Sequence, residues 1–85
     1  NQKEYTCTDS SLDKVKCGIE YSISRLTGTD AQFEYYKTIN LKLNSKIILQ
    51  NKNEESGLAE IIIDGNKISC STMILKNIFV EKIII

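Results

Sequence analysis

The chain has 85 residues, its 11 basic and 11 acidic side chains cancel, and it contains no histidine and no proline. A chain of this length without a linker is expected to form a single domain over residues 1–85. Its zero net charge argues against a nucleic-acid-binding protein, which normally needs a basic surplus. No apolar run reaches the roughly 20 residues of a membrane-spanning helix. The absence of histidine removes the commonest general base and metal ligand.

The dominant pattern is an alternation of apolar and polar residues with a period of two, which is typical of half-buried β-strands. It runs over residues 15–23 and again over residues 33–43. Shorter strands are predicted over residues 47–49, 58–63, 68–75 and 78–85. Asp64, Gly65 and Asn66 indicate a tight hairpin, because Gly and Asn tolerate positive φ.

These strands predict an all-β fold, an antiparallel sandwich or small barrel of six to seven strands. A short N-terminal helical turn over residues 10–17 is an alternative to an early strand. Ser10 and Asp13 have the spacing of a capping box, and Gly18 stands where a helix can stop. Tyr35 and Tyr36 are adjacent in a predicted strand, so their side chains are expected on opposite faces of the sheet. One of them is expected in the core, and Tyr36 is taken as the exposed one.

The last predicted strand, residues 78–85, is almost wholly apolar. Inside the sheet it belongs to the core, which is the favoured interpretation. At an edge of the sheet it would invite pairing with a strand of another chain.

Three cysteines, Cys7, Cys17 and Cys70, allow one disulfide with a free thiol, or none. All three pairings stay open at this point. Small exported domains often gain stability from a disulfide, and a chain that begins at Asn1 resembles a mature chain after signal-peptide removal. We therefore expect a periplasmic or secreted protein, and the many Ile, Asn and Lys residues hint at a bacterial source.

No group of residues has the pattern of an active site. The cysteine spacing does not fit zinc, no nucleophile has a histidine base, and the glycines are too dispersed for a phosphate-binding loop. We expect no enzyme, no cofactor and no metal. Partner-binding candidates lie on the exposed face of the sheet and in a polar loop predicted over residues 51–57, since loops on a rigid scaffold often carry recognition. These candidates are Tyr36, Asn51, Lys52, Asn53, Glu54 and Glu55.

Three short patches resemble the small periplasmic lysozyme inhibitors of the C-type β-barrel family. The patches are Tyr5, Thr6 and Cys7 near the start, Ser56 and Gly57 after the polar loop, and Cys70 near the end. The family's Ser-Gly-x-x-Tyr pattern is broken by Glu60, and its Lys-Gly element has no counterpart, so membership is not assigned. The resemblance implies that a small exported β domain can act by binding to an enzyme and blocking it.

We therefore expect a small exported, non-catalytic protein-binding domain of the inhibitor or immunity type. It would bind another protein, and neither nucleic acid nor a membrane, as a monomer or homodimer. One alternative is a structural or assembly subunit that pairs through its edge strands. Another alternative is a cytosolic β-sheet interaction module.

Overall fold

The computed structural model describes residues 9–83. Six strands are present in this part of the chain, namely β1 (Ser10–Ser11), β2 (Glu20–Leu26), β3 (Lys46–Asn53), β4 (Leu58–Ile63), β5 (Asn66–Ser71) and β6 (Ile78–Lys82). The helical segments are a 3-10 turn (Leu12–Lys14), α1 (Asp30–Thr38) and α2 (Thr72–Leu75). The strands form one antiparallel sheet in the order β1-β6-β2-β3-β4-β5. The all-β prediction is confirmed.

One face of this sheet forms the core. In β4 the side chains of Ala59, Ile61 and Ile63 are all buried, as the period of two predicts. The neighbouring strands add further buried side chains to the same cluster, namely Tyr21, Ile23, Ile47, Leu49, Cys70, Ile78 and Val80. Burial of this apolar face is the main favourable term in folding.

The helical segments cover the apolar face. The 3-10 turn buries Leu12, α1 buries Tyr36, and α2 buries Ile74 and Leu75. The 3-10 turn follows β1 at one edge of the sheet and α2 follows β5 at the other edge. Because the 3-10 turn and α2 contact each other, the sheet must curl until its two edges approach, as in a partly open barrel. Within residues 9–83, no helix is both long and apolar enough to cross a membrane.

The predicted hairpin between β4 and β5 is confirmed. Ile63 pairs with Asn66, and the two residues between them, Asp64 and Gly65, have φ values of 48° and 89°. Positive φ at both positions is what a two-residue hairpin turn requires. The Asp64 carboxylate also accepts a hydrogen bond of 3.1 Å from the backbone N–H of Lys46, which joins the turn to β3.

The predicted strand over residues 33–43 is wrong, because residues 30–38 form α1. Thr29 caps this helix. Its hydroxyl accepts a hydrogen bond from the Gln32 N–H, and the Gln32 side chain accepts one from the Thr29 N–H. This reciprocal capping box stabilises the first turn. Gly28 precedes it at φ 139°, where a Cβ would collide with the Gln32 side chain.

Other element bounds differ less from the prediction. The strand expected from residue 15 begins at Glu20, and the expected N-terminal helical turn is the shorter 3-10 segment. The strand expected over residues 68–75 ends at Ser71 and continues as α2. β6 lies between β1 and β2, which confirms the core interpretation for Ile78 and Val80. Residues 84–85 of the predicted last strand lie outside the described residues.

Tyr36 anchors α1 to the sheet. Its buried ring forms a T-shaped contact with the ring of Phe33, with centroids 5.5 Å apart, and its hydroxyl donates a 2.9 Å hydrogen bond to the Thr27 carbonyl. Burial raises the pKa of the Tyr36 hydroxyl, and the side chain of Asn77 offsets part of that increase. The phenol therefore stays protonated and remains a hydrogen-bond donor at neutral pH.

We predict that Tyr36→Phe lowers the free energy of unfolding by about 1–2 kcal/mol, because the Thr27 carbonyl loses a partly buried partner. Urea denaturation followed by circular dichroism measures this change. Tyr35→Phe is the matched control on the same helix, and it should change stability by less than about 0.5 kcal/mol. Equal effects of the two substitutions would contradict the anchoring role of the Tyr36 hydroxyl.

Candidate binding pocket

A pocket of about 560 Å³ lies where β1, the end of β6 and the start of β2 meet the segment that follows the 3-10 turn. This volume is in the range of pockets that hold small ligands or short peptide segments. The residues that line it are Ser10, Lys14, Val15, Lys16, Ile19, Tyr21, Val80, Glu81 and Lys82.

The pocket has an apolar wall. Tyr21 and Val80 are almost fully buried members of the core. Val15 is half-buried and packs against the core, whereas Ile19 is 45% exposed. A single exposed aliphatic side chain is common on protein surfaces. Ile19 differs because it adjoins the apolar wall of the pocket and enlarges it, and larger apolar surfaces mark contact sites.

The segment between the 3-10 turn and β2 is held in place by contacts with β3. The N–H of Gly18 donates a 2.9 Å hydrogen bond to the Leu49 carbonyl. The Lys52 ammonium donates a hydrogen bond to the carbonyl of Asp13 and forms an ion pair of 3.5 Å with Glu54. These contacts fix the turn that places Val15 and its neighbours at the pocket.

The rim of the pocket is basic. Lys14, Lys16 and Lys82 are exposed, and Glu81 is the one acidic residue in the lining. No ion pair joins the three lysines to any residue within 9–83. A chain with zero net charge thus concentrates a local excess of positive charge beside an apolar wall.

Arg25, another exposed basic residue, has a structural role. The guanidinium of Arg25 forms an ion pair of 3.2 Å with Asp9 and lies 3.9 Å from the centre of the Phe79 ring. Ser24, next to Arg25 at a bulge in β2, also donates to the Asp9 carboxylate. Arg25 is therefore engaged in joining the start of the described chain to β2 and β6.

Two of the sequence-predicted contact residues, Asn51 and Asn53, line a second, more open recess with their neighbours. Asn51, Lys52 and Asn53 belong to β3, so the loop predicted over residues 51–57 is shorter than expected and the turn begins at Glu54. Asn51 and Asn53 line a recess of about 290 Å³, and Asn51 donates a 2.9 Å hydrogen bond to Glu60. A binding role for Asn51, Lys52, Asn53, Glu54 and Glu55 stays a prediction.

The expectation of an exposed Tyr36 is wrong. Tyr36 is 1% exposed because residues 30–38 are helical, and a helix turns every third or fourth residue toward the core. Its ring is therefore not available to a partner. The signal that would have placed it correctly is the Thr29 and Gln32 capping box, which marks the start of a helix.

The cysteines do not support a disulfide-stabilised domain. Cys17 is an exposed free thiol, and Cys70 is a buried free thiol in the core. Burial raises the pKa of Cys70 to about 11, which suppresses its reactive thiolate form. Cys7 lies outside the described residues. Among residues 9–83, no three His, Cys, Asp or Glu side chains are grouped closely enough to hold a metal ion.

No protein-family model matches the sequence, and no curated protein matches it significantly. Solved structures do match. A manganese-dependent transcriptional repressor superposes with a TM-score of 0.82 at 20% identity, over 93% of this chain and 44% of the repressor. The repressor ScaR with bound Cd²⁺ gives 0.74 at 25% identity, over 86% and 34%. The iron uptake regulatory protein FeoA gives 0.77 at 13% identity, over 88% and 99%.

The chain shares a fold with these proteins. It spans less than half of the length of either repressor and corresponds to almost the whole of FeoA. The same small β unit thus occurs both as part of a larger protein and as a separate one.

These neighbours correct several expectations. The exported inhibitor or immunity protein is wrong, and so is the periplasmic or secreted location, because the matching folds belong to transcriptional repressors and an iron uptake regulator. The inferred disulfide has no support from Cys17 or Cys70. The exclusion of nucleic acid rested on net charge alone, and similarity to transcriptional repressors gives no support to it.

We predict that iodoacetamide modifies Cys17 at least about tenfold faster than Cys70 near pH 8, because only Cys17 is exposed and Cys70 is mostly protonated at that pH. The rates are measured by quenching at intervals and mapping peptides by mass spectrometry in a Cys7→Ser background. In denaturant the two thiols should react at similar rates. Faster modification of Cys70 in the folded protein would contradict its burial.

Proposed function

We propose that this chain is a cytosolic, non-catalytic interaction domain of a metal-responsive regulatory or uptake system, and that it acts by binding another polypeptide. The observation that carries the proposal is the reuse of its fold. The unit matches a minor part of two metal-linked repressors and nearly all of FeoA. A unit that is used both attached and alone most simply works through contacts with a second protein surface.

The surface chemistry supports the same conclusion. Exposed apolar side chains include Ile19, Leu43 and Leu58, and Ile19 lies at the pocket beside three exposed lysines. An exposed apolar residue that adjoins an apolar recess enlarges the apolar surface there, and such surfaces are characteristic of contact sites. The partner can be an adjoining part of the same protein, a separate protein or a second copy of the chain.

The test is site-specific photo-crosslinking in the full-length protein as its own cell makes it. Photoreactive benzoylphenylalanine replaces Ile19, Leu43 or Leu58, one at a time, in cells grown with added or chelated manganese and iron. We expect an adduct of one defined mass at some of these positions, with a yield that changes at least about fivefold with metal supply.

Lys67 on β5 provides the control position, because it is exposed and does not line the pocket. It should give little or none of the same adduct. The proposal fails if the three apolar positions give no adduct, if Lys67 gives the same adduct in equal yield, or if the yield is independent of metal supply.

The cytosolic location has its own test, which uses the exposed thiol of Cys17. A sulfonated maleimide that does not cross the inner membrane should leave Cys17 unmodified in intact cells and modify it after lysis. A periplasmic protein with an exported cysteine serves as the positive control. Modification of Cys17 in intact cells would contradict the cytosolic location.

A further inference from the structure

We infer that the pocket beside β1 and β6 binds an acidic, apolar peptide segment of the partner, one in which Asp or Glu alternates or clusters with Leu, Ile or Phe. This inference rests on the proposed interaction function and names the chemistry of the bound segment. It follows from two properties of the lining, its charge and its apolar wall.

The charge comes from three lysines that converge on the rim. Lys14 ends the 3-10 turn, Lys16 follows Val15, and Lys82 lies on β6 directly opposite Tyr21 of β2. Their ammonium groups have no acidic partner within residues 9–83. Glu81 is the one opposing charge in the lining. A carboxylate-bearing segment would neutralise this local excess and be attracted to it from a distance.

Two other acidic residues, Asp13 and Glu20, adjoin lining residues in sequence but do not line the pocket themselves. Asp13 adjoins Lys14 in sequence and accepts the hydroxyl hydrogen of Ser11 at 2.5 Å, but it does not line the pocket. Glu20 stands between Ile19 and Tyr21 in sequence, and successive side chains of a strand point to opposite faces. The residues that line the pocket therefore carry three positive charges against one negative charge.

The apolar wall identifies the rest of the occupant. Val15 and the exposed Ile19 line the pocket together with Tyr21 and Val80, and covering these side chains gains free energy only when the covering group is apolar. Phosphate or a nucleic-acid backbone would contact the lysines but leave this wall exposed to water. The lining also contains no arginine, the residue that recognises phosphate by paired hydrogen bonds.

A second copy of the chain is a weaker candidate for the occupant. Glu54, Glu55 and Leu58 have suitable chemistry, but Glu54 already forms an ion pair with Lys52. None of these residues lines the pocket, so a contact between them and the pocket of another copy would be head-to-tail. Head-to-tail contacts continue into open assemblies unless the rotation closes a ring.

The test is selection of a random peptide library on the immobilised full-length protein, followed by fluorescence polarisation with the enriched peptides. We expect the enriched sequences to combine carboxylates with Leu, Ile or Phe. Their affinity should fall as the salt concentration rises, because the Debye length shrinks to about 8 Å at 0.15 M.

Four variants examine the pocket, and each is first shown to melt like the parent protein. Lys16→Ala combined with Lys82→Ala should weaken binding about tenfold or more, whereas Lys16→Arg should retain the affinity because it keeps the charge. Ile19→Ala should weaken binding about fivefold or more. Lys67→Ala removes a lysine outside the lining and should have no effect.

Several outcomes would overturn the inference. Enriched peptides without carboxylates, or peptides whose affinity is unchanged by the lysine and Ile19 variants, would remove the pocket as their site. Self-association in analytical ultracentrifugation that the same variants abolish would make a second copy the occupant. Peptide binding that appears only after removal of residues 1–8 would assign the pocket to the chain's own N-terminal segment. None of these outcomes affects the metal-dependent crosslink that tests the proposed function.

Discussion

The structure depends on one constraint: a six-stranded sheet with a single apolar face must be covered by a chain with few residues to spare. A domain of this size buries only about 60% of the surface that its unfolded chain exposes. The cover comes from the 3-10 turn, α1 and α2, which bury Leu12, Tyr36 and Leu75. Each of these segments contributes one or two side chains. The loss of any one would therefore expose a sizeable fraction of the core.

The same constraint creates the pocket. Because the 3-10 turn must bury Leu12, the chain continues from it at the surface, where Lys14 and Lys16 are exposed and Val15 reaches the edge of the core. The contacts of Lys52 with Asp13 then fix the turn from the side of β3. After the residues fixed by these contacts, the chain runs along the surface to the start of β2 at Glu20, and Ile19 in this connection stays outside the core. A surface with this composition is a consequence of how the sheet is covered.

Local patterns were enough to predict most strands. The alternation over residues 58–63 and the Asp64 and Gly65 turn specify their conformations without distant partners, and both agree with the structure. The strand prediction for residues 33–43 failed because the spacing of their apolar residues fits both the period of a strand and that of a helix. Phe33 and Tyr36 are three residues apart, as on one face of a helix, and only the Thr29 capping box separates that interpretation from a strand.

The pocket was beyond sequence reasoning, since its lining comes from residues 10–21 and 80–82, which come together only through the pairing of β6 with both β1 and β2. The composition of the whole chain gave no sign of the pocket, because the positive charges of the three rim lysines are cancelled in the net charge by acidic residues in other parts of the sequence. The exported inhibitor was inferred from missing features, such as histidine and an initiating methionine. Missing features fit every kind of binding domain equally well. Only the local grouping of charge and apolar surface distinguishes one partner from another.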